Sequence, residues 1–135
     1  MNPIKNILLV EDDDAVRGVL HEHVLTSAGY HVVEAIDCAT ALSCLENEHF
    51  DLILLDITLP DKSGLEVLRS VREKNLSTGV IVLTGTEGYD YSILSRALGV
   101  HDYIRKPFST HYLLKAIEHA LSVSSTNIEA PSRDL

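Results

Sequence analysis

Short apolar runs alternate with amphipathic segments five times along the chain, the pattern of βαβ units wound around a parallel sheet. The runs at Asn6–Val10, His31–Ala35, Asp51–Asp56, Val80–Thr84 and Asp102–Ile104 predict strands. The segments between and after them predict helices over Asp14–Ala28, Asp37 to Asn47, Leu65–Lys74, Tyr89–Leu98 and Ser109–Val123. Val16, Leu20, Val24 and Ala28 line one side of the first helix, and Gly29 follows it as a C′ residue does. Asp37 is an N-cap type of residue for the second helix, whose Ala41, Leu42 and Leu45 face inward. Gly99 ends the fourth helix. Leu113, Ala116, Ile117, Ala120 and Leu121 form the stripe of the fifth.

The same pattern orders the strands. Strands 1, 3 and 4 are continuously apolar, as strands buried on both faces must be. Strand 2 (His31-Val-Val-Glu34) and strand 5 (Asp102-Tyr-Ile-Arg105) mix in polar residues, as edges do. Order 2-1-3-4-5 satisfies both conditions and sets the topological switch between strands 1 and 3. The fold expected is α/β, a doubly wound five-stranded parallel sheet, with ligands bound at the carboxyl ends of its strands. After Val123 the chain turns polar, and residues 124–135 read as a flexible tail or the start of an interdomain linker. No internal repeat is seen.

At 135 residues, 45% of them hydrophobic and 23% charged, the chain is long enough for one domain with a real core. A formal net charge of −9 argues against nucleic acid as a direct partner, since phosphate binding is carried by Lys and Arg. No signal-type N-terminus is present, and no apolar run approaches the roughly 20 residues of a membrane span. A cytoplasmic protein is expected. Cys38 and Cys44 lie on different faces of one predicted helix and read as free thiols, buried or half-buried, in a reducing compartment. The seven histidines are scattered; His21 and His23, two apart, do not share a helix face, and spacing does not favour a histidine metal site.

Four positions at the ends of apolar runs hold the candidate chemistry: Glu11-Asp12, Asp56, Thr84 and Lys106. Acidic residues at a helix start also serve as caps, and Asp13 or Asp14 is expected to do so. Asp56 shifts the balance, because it follows four apolar residues where an unpaired carboxylate is costly. Carboxylates gathered from two strands repel unless a cation lies between them, and a hard divalent ion, Mg²⁺ above all, suits such oxygen ligands and leaves coordination positions for a phosphoryl oxygen. Lys106 is either an exposed lysine beside a turn proline or a group reaching over the crevice to Asp56 or its phosphoryl oxygens. A cis Lys106–Pro107 bond would fix its direction, although cis is the minority form even before proline. Thr84 is either a β-branched strand residue or a hydroxyl that bonds a phosphoryl oxygen.

The motifs Ile7-Leu-Leu-Val-Glu-Asp-Asp13, Asp56-Ile-Thr-Leu-Pro-Asp-Lys-Ser-Gly64, Val82-Leu-Thr-Gly-Thr86 and Asp102-Tyr-Ile-Arg-Lys-Pro-Phe108 stand in this order. Together they resemble the receiver domain of two-component response regulators, over residues 4 to about 123. The resemblance implies a flavodoxin-like (βα)5 receiver domain over residues 1–123, with Asp56 as phosphoacceptor. It implies Glu11 and Asp12 as the acidic pair, with Asp12 on Mg²⁺ directly and Glu11 largely through water, and the Thr58 carbonyl as a further ligand beside Asp56. Thr84 would be the switch hydroxyl, Lys106 the phosphate-pairing lysine and Tyr103 the aromatic that reorients; Asp13 is a third acid. The chain departs from the common pattern at Gly85, where alanine is usual, which bears on the stiffness of that loop.

By the same resemblance the chain is a phosphorelay protein rather than an enzyme, catalysing only its own phosphorylation and dephosphorylation. A sensor histidine kinase or phosphotransfer protein would supply the phosphoryl group to Asp56. Thr84 and Tyr103 would then switch the helix 4–strand 5–helix 5 face, which controls an output domain or downstream protein, or joins two copies as a homodimer. Thr58 and Thr86 would flank the path of attacking water. Tyr103 has a plainer reading, an edge-strand aromatic that only packs. Among other classes, a haloacid dehalogenase-type phosphatase usually has a second Asp two positions after the first, where this chain has Thr58. A nucleotide-binding module would need a glycine-rich phosphate loop, and none is present. A pseudo-receiver typically lacks one of the key residues, and here all are in place.

Overall fold

Unbroken apolar runs need cover on both faces, and the sheet they build has it. The computed structural model describes residues 3–57, 59, 61, 64–74, 77–85 and 99–125. Its strands are β1 (Asn6–Val10), β2 (His31–Ala35), β3 (Leu52–Asp56), β4 (Gly79–Thr84) and β5 (Asp102–Arg105), in the parallel order β2-β1-β3-β4-β5. This is the expected order. Every residue of β3 is buried, whereas β2 and β5 at the edges each include exposed positions.

Pleating divides the core in two. Leu8, Val10, Ile53, Leu55, Val80 and Val82 face α2 (Cys38–Asn47) and α3 (Leu65–Glu73). Ile7, Leu9, Leu52, Leu54, Ile81 and Leu83 face the first and C-terminal helices. The C-terminal helix, Thr110–Ser125, contributes Leu113, Ala116, Ile117, Ala120 and Leu121, the stripe read from its spacing. Asp37 caps α2 by accepting from the Thr40 amide at 2.8 Å. Cys38 is buried, Cys44 half-buried, and neither is in a disulfide.

The first helix departs from expectation. It begins at Asp14 as α1 (Asp14–Gly18), but from Val19 to Leu25 it is a π-helix, with bonds such as Thr26 N–H to His21 C=O at 2.9 Å. A bond to the fifth preceding residue widens the turn, so positions three and four apart no longer stay on one side. Leu25 therefore joins Leu20 and Val24 in the core, while Ala28, placed by its spacing on the inner stripe, is exposed. Gly29 closes the following turn with φ of 98°, a conformation that suits glycine. Other boundaries shift by one or two residues. The helix expected over Tyr89–Leu98 lies outside the described residues, as do Thr58, Thr86 and everything after Ser125.

Candidate functional site

Adjacent parallel strands end at one level, which brings distant carboxylates together. The Glu11 amide still bonds the Ala35 carbonyl at 3.0 Å, so the chain follows the sheet one residue past β1 and buries the Glu11 side chain. The turn into α1 is then fixed by its own polar groups. Asp13 caps the helix, accepting from the Val16 amide at 3.0 Å, and donates its own amide to Glu11 Oε2 at 3.2 Å. Arg17 donates from Nη1 to the Glu11 carbonyl at 2.9 Å and from Nε to Glu34 at 3.3 Å, tying the turn to β2. This leaves Asp12 exposed at the rim.

Asp56, at the end of β3, is 5% exposed. One oxygen from each of Glu11, Asp12 and Asp56 can be chosen so that all three lie within 4.8 Å of one another. Thr84 ends β4 and is buried; its carbonyl accepts the Lys106 amide at 2.7 Å. The Lys106–Pro107 peptide is cis. Lys106 Nζ stands 2.8 Å from Glu11 Oε1 and 3.2 Å from Asp56 Oδ2. Tyr103 sits apart from this cluster, opposite Val82 on β5 and 39% exposed. Thr58 lies outside the described residues.

Burial raises the Glu11 carboxyl above its ordinary value, against the Lys106 hydrogen bond and the Asp13 amide, and Asp56 repulsion adds to the rise. Burial pulls the Lys106 ammonium down, but its bond to Glu11 and the nearby Asp56 charge outweigh that and leave it raised. One lysine thus offsets part of the charge of three acids. The donor set is all oxygen, anionic and open at Asp12, which fits a hard divalent cation.

Among the described residues, Gly64 and Asp61 tie down the loop after β3. Gly64 donates its amide to the Ile57 carbonyl at 2.8 Å, and a Cβ there would stand 2.8 Å from the Asp56 carbonyl oxygen and 2.9 Å from Ile57 Cα. Only glycine permits that approach. Asp61 accepts from the Cys38 amide at 2.9 Å and the Ala39 amide at 3.1 Å, satisfying first-turn donors of α2. Sequence reading missed Asp61, Arg17 and the Lys106–Glu11 pair. Each of these contacts is made by side-chain reach between separate elements, and no local pattern encodes it.

Among the described residues no helix is long and apolar enough to cross a membrane. Residues 7–118 match the family described as the response regulator receiver domain. The alkaline phosphatase synthesis transcriptional regulatory protein PhoP of Bacillus subtilis is 34% identical over 131 residues, which cover 97% of this chain and 53% of that protein. The chain spans about half the length of the curated relatives it matches. A CheY-like response regulator receiver domain protein from Methanospirillum hungatei superposes with a TM-score of 0.86 at 33% identity, covering 93% of this chain and 99% of that one. The response regulator protein TrrA from Thermotoga maritima, in complex with Mg(2+)-BeF, superposes with a TM-score of 0.77 at 31% identity, over 87% of this chain and 99% of that one. The sheet order, the strand-end carboxylates and these likenesses agree: the chain belongs to the response regulator receiver domain family of two-component signalling.

Proposed function

We propose that this domain accepts a phosphoryl group on Asp56 from a sensor histidine kinase or phosphotransfer protein. The observation that carries the reading is Lys106 Nζ, held within hydrogen-bond reach of both Glu11 and Asp56 beside the exposed Asp12. An Asp56 carboxylate oxygen attacks phosphorus in line, the phosphorus–nitrogen bond of the donor phosphohistidine breaks, and the imidazole nitrogen leaves with the electron pair. The product is an acyl phosphate. Buried walls around Asp56 limit water, and the Lys106 ammonium offsets the charge carried by the phosphoryl oxygens. Glu11, Asp12, Asp56 and the Thr58 carbonyl would hold Mg²⁺, which supplies further charge neutralisation when bound. The Mg(2+)-BeF complex of TrrA supports that assignment by likeness.

Thr84 then bonds a new phosphoryl oxygen, and Tyr103 turns inward from its exposed position to fill the space vacated. A partner that binds only this form of the helix 4–strand 5–helix 5 face draws the population over. Residues 1–123 act as the receiver, and residues 124–135 lead toward an output domain or remain a tail; the face also serves for homodimerisation. The setting is the cytoplasm. Incubation with acetyl phosphate and Mg²⁺ tests the reading. It should give an acid-stable, base-labile adduct on Asp56 that is absent from Asp56→Asn. Absence of any adduct would mark a binding module that is never phosphorylated, and continuous turnover would mark a phosphatase.

A further inference from the structure

At the end of the sheet opposite Asp56, two histidines from separate elements meet. His101 precedes β5, and its amide bonds the Val80 carbonyl at 2.8 Å near the start of β4. His119 lies in the C-terminal helix. His101 Nε2 and His119 Nδ1 stand 3.0 Å apart, with ring centroids 5.0 Å apart and planes tilted by 45°. Among the described residues neither ring has another hydrogen-bond partner.

We propose that His101 Nε2 and His119 Nδ1 form a two-imidazole site for a borderline divalent transition-metal ion, Zn²⁺ or Cu²⁺ in class, completed by water. Two nitrogens each about 2.0–2.1 Å from one zinc ion stand roughly 3.3 Å apart at the tetrahedral angle. The pair is within a few tenths of an ångström of that spacing, and each ring must turn so that its lone pair meets the ion instead of the other nitrogen. His119 is exposed, so water has room to complete the coordination and the ion a way in. Burial, and after it the neighbouring His119, holds His101 below the usual histidine value, against the Asp102 charge. The neutral imidazole is the ligating form.

The Asp102 charge, next to His101 in the chain, acts on the His101 ring in the sense that favours a cation. The carboxylate cluster offers only oxygen and suits Mg²⁺, whereas an imidazole pair favours Cu²⁺ and Zn²⁺ and leaves Mg²⁺ to oxygen ligands. The two sites therefore sort ions by donor type. A bound ion would join the entry of β5 to the C-terminal helix.

Calorimetric titration of the full chain with Zn²⁺, in saturating Mg²⁺ to occupy the carboxylates, tests the site. The wild-type protein should bind one Zn²⁺, and His119→Gln, at an exposed position, should weaken binding at least about tenfold. Labelling by acetyl phosphate and Mg²⁺ should be the same in both. Cu²⁺ paramagnetic resonance should show coupling to two imidazole nitrogens in the wild-type protein and lose one of them in His119→Gln; His101→Gln should behave likewise. No Zn²⁺ binding by the wild-type protein, or equal binding and unchanged nitrogen coupling in His119→Gln, would overturn the proposal and leave an imidazole–imidazole hydrogen bond alone.

Discussion

Lys106 bonds Glu11 more closely than Asp56: Nζ lies 2.8 Å from Glu11 Oε1 and 3.2 Å from Asp56 Oδ2. The lysine leaves the end of β5 and reaches past β4 and β3 to an acid at the end of β1. Removing it would leave two buried carboxylates without their ammonium. Lys106→Met should lose roughly 3 kcal/mol of stability in urea unfolding, because breaking a buried pair from one side leaves uncompensated charge. Added Mg²⁺ should recover part of the loss. A change below about 0.5 kcal/mol, the scatter of ordinary surface substitutions, would show that the pair carries no weight.

Asp12 and Asp13 should separate cleanly. Asp13→Ala removes the cap on α1 and should cost about 0.5–2 kcal/mol while sparing the Mg²⁺-induced rise in thermal midpoint. Asp12→Ala should do the reverse, keeping stability and blunting the Mg²⁺ response. Equal blunting in both variants would mean that the acidic pair has been assigned in the wrong register.

Two glycines near the site should respond differently to an added methyl. Gly64→Ala drives a methyl into the Asp56 and Ile57 backbone and should cost about 1–3 kcal/mol, with slower phosphorylation. At Gly85 the added Cβ meets only Lys106 Cβ, at 4.0 Å, in ordinary contact. Gly85→Ala should be neutral or stabilise by up to about 1 kcal/mol, since alanine restricts the unfolded chain. Chemical denaturation midpoints of both variants check this, and a stable Gly64→Ala protein would refute the close approach.

On the proposed function, Thr58 and Thr86 would flank the path of water attacking the Asp56 adduct; small and uncharged, they would neither orient water as a carboxamide or carboxylate would nor block it. The adduct should persist for minutes rather than seconds, and Thr58→Asn with Thr86→Glu should shorten its life. The decay of the Asp56 adduct after donor removal is the measurement; an unchanged rate in the double variant rejects the account.

Most of the fold was legible because burial on both faces writes itself into composition: β1, β3 and β4 are apolar without interruption, and the mixed runs of His31–Ala35 and Asp102–Arg105 mark the edges. The candidate residues Glu11, Asp12, Asp56, Thr84 and Lys106 were legible as polar groups at the ends of such runs, and the structure brings them to one end of the sheet. The π-helical stretch was not legible, since a wider turn leaves its apolar residues readable as an ordinary stripe until Ala28 is found outside. Nor was Asp61, whose partners Cys38 and Ala39 lie on α2 and are contacted through backbone amides, which carry no sequence signal.

The pleat that assigns Leu8 and Val10 to one half of the core and Ile7 and Leu9 to the other makes chain neighbours strangers in space. Substitutions in α2 or α3 are felt by one set of β1 side chains, and substitutions in the C-terminal helix by the other. Distant sites with no shared partners add in their effects. The sheet therefore works as a bulkhead: a repacking that reshapes the compartment beneath the C-terminal helix can be absorbed there, without reaching the compartment that α2 and α3 close.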